Sequence, residues 1–490
     1  MNATVGPLLC VLLALVFNAA PVAAQQATAV RLLPLSDGPP GQRSTPFIAW
    51  YEDLSAAGYR ELEFLVSGQA DIYDYAHPAG PSAAVASLQC AMPYNTRLLV
   101  RRPDQAKAFN GTVYLELLNA TAGWDGDPIW QGAHHYLLRT GAAWVGISGK
   151  PATVDFLRDS WGKAPYPARN AQRYRTLSMP HFSQIWDMLG QAGRLVRTPG
   201  AEPHPLAGLQ VERVILVGYS QSADYLVTFA NSFHARHRLP DGRPVFDGYY
   251  VSGGHHQAKH VRGPEAETGE QLPVQDPRNW LRTDAPVIRF QTQTEVIGFD
   301  AHRARQTEAD FPRLRFYEMA GGAHVDAALN AVGGQALARD LGLPPSFCPE
   351  PEHAYNPIRV GDLQAALLHA LERWIRDEYP PPPSRLLELD PAAGPARLLL
   401  DADGNAVGGV RPAELRAPLG TYLASNRGPG FCDLFGGFIP FDTASLEARY
   451  PGPGAWQAQM RKAVDATVAE GFLLPADAAR LRQQAAGSGH

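Results

Sequence analysis

The sequence predicts an α/β fold: a mostly parallel, eight-stranded sheet flanked by helices, with an insertion over one sheet edge and a C-terminal extension. Three observations predict it. Short β-rich runs recur along the chain, and several are continuously apolar and β-branched, as parallel strands buried on both faces are. Helical patterns lie between them. Near the middle, VERVILVGYSQSADYLVTFANSFH (211–234) reads as a strand, a sharp turn and a helix.

The chain has 490 residues, 45% hydrophobic and 19% charged, with a net charge of −5. That is ordinary globular composition with ample length for a large core. No long basic run is present, so no nucleic-acid or anionic-membrane partner is expected. Residues 5–17 are nearly all apolar, and Val22-Ala23-Ala24 fits a signal-peptidase site before Gln25. The run is short for a membrane span. Residues 1–24 therefore read as a signal peptide, and the mature protein as secreted or periplasmic, without stable membrane insertion.

Cys90, Cys348 and Cys432 follow that segment. An exported protein can form one disulfide from them and keep one buried thiol. Cys348 with Cys432 is the preferred pair, since both lie in loop-rich sequence; three unpaired buried cysteines are the alternative. No CxxC or other zinc-type spacing occurs, and neither a metal nor a cofactor is expected.

Candidate strands are 62–68, 96–102, 112–118, 142–148, 213–217, 248–253, 286–292 and 313–319. Apolar residues share one face of the helix after Ser220 and of a second helix over 361–377. Residues 150–200 form a long aromatic-, arginine- and proline-rich excursion, expected to lie as a lid over the sheet's carboxyl edge, and 183–197 returns as a helix. Pro380–Pro383 break the chain. The core thus spans 25–379, and 385–490 is an extension packed on it. Within the extension, Asp403-Gly404-Asn405 signals a hairpin. A calcium loop there is disfavoured, because Pro412 stands where a bidentate glutamate belongs. Short helices are expected near 454–470 and 475–486.

Chemistry concentrates at GYSQS (218–222). A serine hydroxyl needs a base and exposure to act as a nucleophile. A tight strand-to-helix turn supplies exposure, provided the residues two before and two after the serine are small. Gly218 and Ser222 meet that need. Partners should follow in the order acid then histidine, each beyond a later strand. Glu295 is the first carboxylate past 286–292; Asp300 is the runner-up, and Asp284 precedes the strand. His324 follows 313–319 in a glycine-rich loop. Ser220 would attack an acyl carbon, His324 would move its proton, and Glu295 would hold the imidazole. The oxyanion hole needs two N–H groups. One is expected from Gln221, and the other from the loop after 112–118, with Thr121 first and Ala120 second.

These segments resemble the α/β-hydrolase superfamily, and within it a group of exported bacterial α/β-hydrolase-domain proteins with a G-x-S-Q-S elbow. YNTRLLVRRP (94–103), FNGTVYLELLN (109–119), YEMAGGAH (317–324) and GNAVGGVRPAEL (404–415) carry the likeness beside GYSQS. The resemblance implies an α/β-hydrolase fold that includes the extension. It also implies two carboxylates in the loop at 290–296, where this chain has Gln293 and leaves Glu295 as the acid.

Other constellations count for less. His255 and His256 lie past strand 248–253, where loop polarity is favoured over metal binding. His134 and His135 point different ways on a helix. Trp124, Trp161, Tyr166, Tyr174 and Phe431 are candidates to line an aromatic pocket or simply to pack. The expected activity is serine-dependent hydrolysis of a small-molecule or polymer-borne carboxylic ester through an acyl-enzyme. Amide or lactone cleavage by the same triad, or non-catalytic binding on a hydrolase fold, are the alternatives.

Overall fold

The computed structural model describes residues 29–487 apart from 36–41, 167–168, 199, 201–202, 264–270, 345, 347 and 393–395. The expected signal peptide lies outside the described residues. All eight expected strands are present, and a ninth, short one joins them. In chain order they are β1 (Ala29–Leu32), β2 (Tyr59–Tyr75), β3 (Val85–Pro103), β4 (Thr112–Leu117), β5 (Ala143–Ile147), β6 (Arg213–Tyr219), β7 (Gly248–Ser252), β8 (Val287–Thr292) and β9 (Leu314–Met319). They form one sheet in the order β1-β2-β3-β5-β4-β6-β7-β8-β9. β1 to β3 are antiparallel, and β3 meets β5 antiparallel; β5 through β9 run parallel.

The parallel strands are buried because helices cover both faces, and most of their residues are apolar. Every residue of β4, β5, β7 and β8 is buried. Alternate β4 residues show the two sides. Tyr114 donates its hydroxyl to Glu372 on helix Val360–Asp377, and Glu116 accepts from Ile129 N in helix Pro128–Thr140. Leu117 points the other way, where it and Ile185 of helix Ile185–Arg197 crowd Gly149. Trp186 of that helix lies 6.0 Å from Tyr225 of helix Gln221–Ser232 and stacks on Phe233, just past its end, at 5.1 Å.

Register aligns the carboxyl ends where chemistry is expected. Tyr219 pairs with Ser252, Ser252 with Phe290, and Thr292 with Met319. The loops after β6, β7, β8 and β9 therefore emerge side by side.

The extension covers β9, which would otherwise be an open edge. Arg385 bridges Tyr317 and Val410 bridges Met319, both parallel. The turn at 403–405 closes a hairpin with Leu400 opposite Ala406. Gly420–Tyr422 and Gly437–Pro440 form a small sheet with Ala354–Tyr355. Helices Ala455–Ala469 and Pro475–Gly487 share a second apolar cluster around Trp456 and Val464. Arg139–Asp477 and Arg480–Asp362 ion pairs tie it to two core helices. A disulfide joins Cys348 to Cys432, with a Cα separation of 4.6 Å. Cys90 is not a free thiol either, so the expected leftover thiol is absent among the described residues.

His237 lies between the helices Ile185–Arg197 and Gln221–Ser232, stacked on Phe229 at 5.5 Å. A Cβ at Gly190 would come within 2.2 Å of its ring. Burial, then Arg194 and Arg236, depress its pKa to about 3. It is neutral when folded but protonates near the ordinary histidine value once unfolded. Its contribution is present above about pH 6.5 and is lost as pH falls toward 3, at up to about 1.4 kcal/mol per pH unit. Urea unfolding at pH 7.5, 5.5 and 4.5 should show a shallower acid loss in His237→Gln than in wild type.

Candidate active site

Ser220 occupies the apex between β6 and helix Gln221–Ser232 with φ 57° and ψ −130°. A non-glycine residue there is strained, and such strain holds only when its surroundings over-determine it. They do so here. Ser220 N donates to Ser252 O at 2.8 Å, and Ala223 N donates to Ser220 O at 2.9 Å. A Cβ on Gly218 would sit 3.0 Å from the Ser222 backbone, and one on Gly253 would sit 3.3 Å from Ser220 N. Small residues at these places are a steric requirement of the turn.

Ser222 does more than stay small. It is fully buried, and its hydroxyl accepts from Lys150 Nζ at 2.7 Å while donating to Leu118 O at 3.2 Å. Lys150 also donates to Leu118 O at 3.0 Å and lies 4.9 Å from the Tyr225 ring. The serine in place of glycine thus joins the elbow helix, the end of β4 and the loop after β5. Sequence reading did not single out Lys150. The signal available was a lone lysine in SGKP at the end of an apolar strand.

His324 follows β9, with Nδ1 2.5 Å from Glu295 Oε1. That contact suits a ring whose Nδ1 carries the proton, the tautomer in which Nε2 is the acceptor. Glu295 is fully buried in the first turn of helix Gln293–Gly298, and its other oxygen accepts from Thr292 N. His324 N donates to Thr294 Oγ1 at 3.1 Å, and Tyr219 donates its hydroxyl to His324 O. The runner-up Asp300 is half exposed and pairs with Arg303 at 3.5 Å. Asp284 pairs with His234 at 2.7 Å. Neither faces His324. Gln293 also has a use: its amide donates to Tyr422 O at 3.1 Å, and its oxygen accepts from Gly321 N at 3.0 Å. A carboxylate has no proton to give Tyr422 O when ionised. The amide therefore joins the His324 loop to the extension.

Gln221 opens its helix, where the first backbone N–H groups lack intrahelical acceptors. Thr121 N donates to Asn119 Oδ1 at 2.8 Å, so that amide is spent locally. Asn119 Nδ2 in turn donates to Tyr219 O at 3.0 Å. The loop carrying Ala120 is clamped from beneath by β3. Arg97 reaches Asp125 at 3.0 Å and Glu63 at 2.6 Å, and Arg101 pairs with Asp127.

One cleft is lined by Ser220, His324, Asn119, Thr121 and Gln131 on the core side. Its opposite wall comes from helix Ala327–Leu341 and from Phe431, Leu434 and Phe435 of the extension. Of the aromatic candidates only Phe431 lines it. Trp161 and Tyr174 are buried, Tyr174 against Glu63, while Trp124 and Tyr166 both pack on Phe156. Long aromatic side chains in an irregular stretch have no periodic pattern to show which way they face, which is why the sequence left them open.

His255 N and Nδ1 both contact Asp224, at 2.8 and 2.9 Å. Burial works to lower its pKa, and the Asp224 carboxylate more than offsets that, leaving it raised. Its ring stacks on Phe299 at 4.5 Å, and Phe299 meets His324 edge-on at 5.3 Å. Among the described residues no group of three or more His, Cys, Asp or Glu is arranged to hold a metal. No helix among them is long and apolar enough to cross a membrane.

A family model described as an alpha/beta hydrolase domain matches residues 33–483. Among solved structures, the carboxylesterase Cest-2923 from Lactobacillus plantarum WCFS1 is similar at 14% identity and a TM-score of 0.34, over 59% of this chain and 94% of that one. Acetyl xylan esterase 1 from Thermoanaerobacterium sp. JW/SL YS485 is similar at 11% and 0.29, over 60% and 80%. XC6422 from Xanthomonas campestris, described as an a/b serine hydrolase without lid, gives 13% and 0.29, over 57% and 89%. At these TM-scores the likeness carries no argument, and the fold assignment rests on the family model and the strand order. A search of curated proteins finds no match.

Ser222→Ala removes a buried acceptor of Lys150 without adding bulk. It should lower unfolding free energy by about 1–3 kcal/mol in urea titration. Ser222→Val should cost more, because branched bulk enters beside Gly218.

Proposed function

This chain belongs to the α/β-hydrolase domain family, and on that premise we propose that it is a serine hydrolase cleaving carboxylic esters through an acyl-enzyme. The observation that carries the reading is the meeting of His324 with the buried Glu295 across two neighbouring strand ends, with His324 and Ser220 lining one cleft. Ser220 Oγ attacks the acyl carbon while His324 Nε2 takes its proton. Glu295 holds the imidazole by Nδ1 and stabilises the imidazolium. The oxyanion is received by Gln221 N–H and, because the Thr121 amide is engaged with Asn119, by Ala120 N–H. The nearby helix N-terminus favours the same negative charge. Collapse expels the alcohol, protonated by His324, and water then attacks the acyl-Ser220 ester by the same route.

We further propose that the chain is exported, like the hydrolases with a G-x-S-Q-S elbow that it resembles. The Cys348–Cys432 disulfide supports export, since such bonds persist in oxidising compartments. The extension belongs to the same catalytic unit in this reading, because it supplies one wall of the cleft.

A fluorophosphonate probe should label folded protein on Ser220, and Ser220→Ala should abolish labelling. Folded protein that stays unlabelled refutes the reading. Glu295→Gln should lower kcat by roughly 10³-fold or more, whereas Asp300→Asn should stay near wild type. Loss in Asp300→Asn alone would reassign the acid.

A further inference from the structure

The cleft beside Ser220 has an unusual division of labour. One side is the core's chemistry, and the facing side is mostly apolar, with Asn330 the polar side chain on it. That side starts one residue from His324: Val325 bridges Phe435 in parallel, and Val325 N donates to Leu434 O at 2.9 Å. Phe431, Leu434 and Phe435 follow from there, and Cys432 between them is fully buried in its disulfide to Cys348. Leu329 of helix Ala327–Leu341 lines the same wall.

The polar lining beside His324 is made of amides and hydroxyls, including Asn119, Thr121, Gln131, Ser220 and Asn330, and the amides of Asn119 and Gln131 are already engaged. Asn119 gives its amide to Tyr219 O and its oxygen to Thr121 N. Gln131 Nε2 donates to Asp127 Oδ1 at 2.7 Å. Among the described lining residues no Asp, Glu, Lys or Arg is present, and His324 is turned to Glu295. A charged substituent entering here loses hydration and finds no counter-ion, which is costly. A methylene entering gains up to roughly fourfold in binding.

Resting on the Ser220–His324–Glu295 reading, we propose that this cleft selects uncharged esters bearing an apolar group, and that Leu329 with the disulfide-held segment 431–435 is the selecting wall. The acyl or alcohol portion that occupies it lies against the wall formed by the extension and helix Ala327–Leu341.

The experiment compares p-nitrophenyl acetate, p-nitrophenyl pentanoate and mono-p-nitrophenyl succinate, whose chain matches the pentanoate in length but ends in a carboxylate. The pentanoate should exceed the succinate at least about 30-fold in kcat/KM, and should exceed the acetate. Leu329→Arg places a cation in the partly exposed wall and should narrow the pentanoate-to-succinate ratio at least about tenfold. Leu434→Ala, checked for folding by its unfolding transition, should shrink the pentanoate-to-acetate ratio. Fluorophosphonate labelling of Ser220 runs in parallel. Labelled protein that cleaves the succinate as well as the pentanoate overturns the selectivity and leaves the hydrolase reading standing. Labelled protein whose ratios ignore both variants overturns the wall assignment. Unlabelled protein overturns the hydrolase reading and this inference with it.

Discussion

The left-handed backbone of Ser220 is the constraint around which the rest is built. A non-glycine residue in that region costs on the order of 1–3 kcal/mol, and nothing local to a serine favours it. The strand order supplies what holds it. β6 sits mid-sheet between β4 and β7, so Ser252 O is in register to receive Ser220 N–H. Gly218 and Gly253 leave the room. Ser222 then ties the helix start to Lys150 and the end of β4. Each contact comes from a different stretch of chain, so the turn persists only while the sheet is intact.

The second half of the site is joined to the extension. The His324 loop is held by Gln293 to Gly321 N, by Asn356 Nδ2 to Gly321 O at 2.7 Å, and by the Val325–Phe435 bridge. Gln293 spans the core and extension because an amide both donates and accepts. The side chain that departs from the resemblance thus helps to join the two regions. It also leaves Glu295 as the only carboxylate in that loop, free of like-charge repulsion beside His324.

Buried arginines on β3 support the third side. Arg97 lies between Glu63 and Asp125, and Arg101 lies between Glu61 and Asp127 and over the ring of Trp144 at 4.6 Å. Burying such charges is expensive unless every partner is in place. That cost fits a role in fixing the loop 119–128, which carries Asn119 and Ala120, better than a role in net stability. Removing one arginine would leave its carboxylates uncompensated and release the loop.

Much of this architecture was legible in the chain itself. Eight strands and the helices between them were readable because periodicity and β-branching are local properties. Ser220, Glu295 and His324 were readable as candidates because each stands just beyond a strand, in an order that only depends on counting along the chain. β1 was missed: four residues with largely exposed side chains carry no alternating pattern. Lys150 was missed because a lone lysine reads as surface until a buried acceptor is brought to it. The sequence put Glu295 ahead of Asp300 by its place after the strand, and side-chain direction adds that Asp300 turns out to Arg303 in a left-handed residue. Of the cleft's apolar wall the sequence offered only Phe431 as a candidate, because 431–435 lies more than a hundred residues from His324, and only the covering of the β9 edge brings them together. The sequence by itself determined the elements, the elbow and the order of candidate groups, all set by short-range chemistry. The tertiary structure alone decided which groups meet and what faces the serine, because those depend on contacts between segments that sequence distance does not encode.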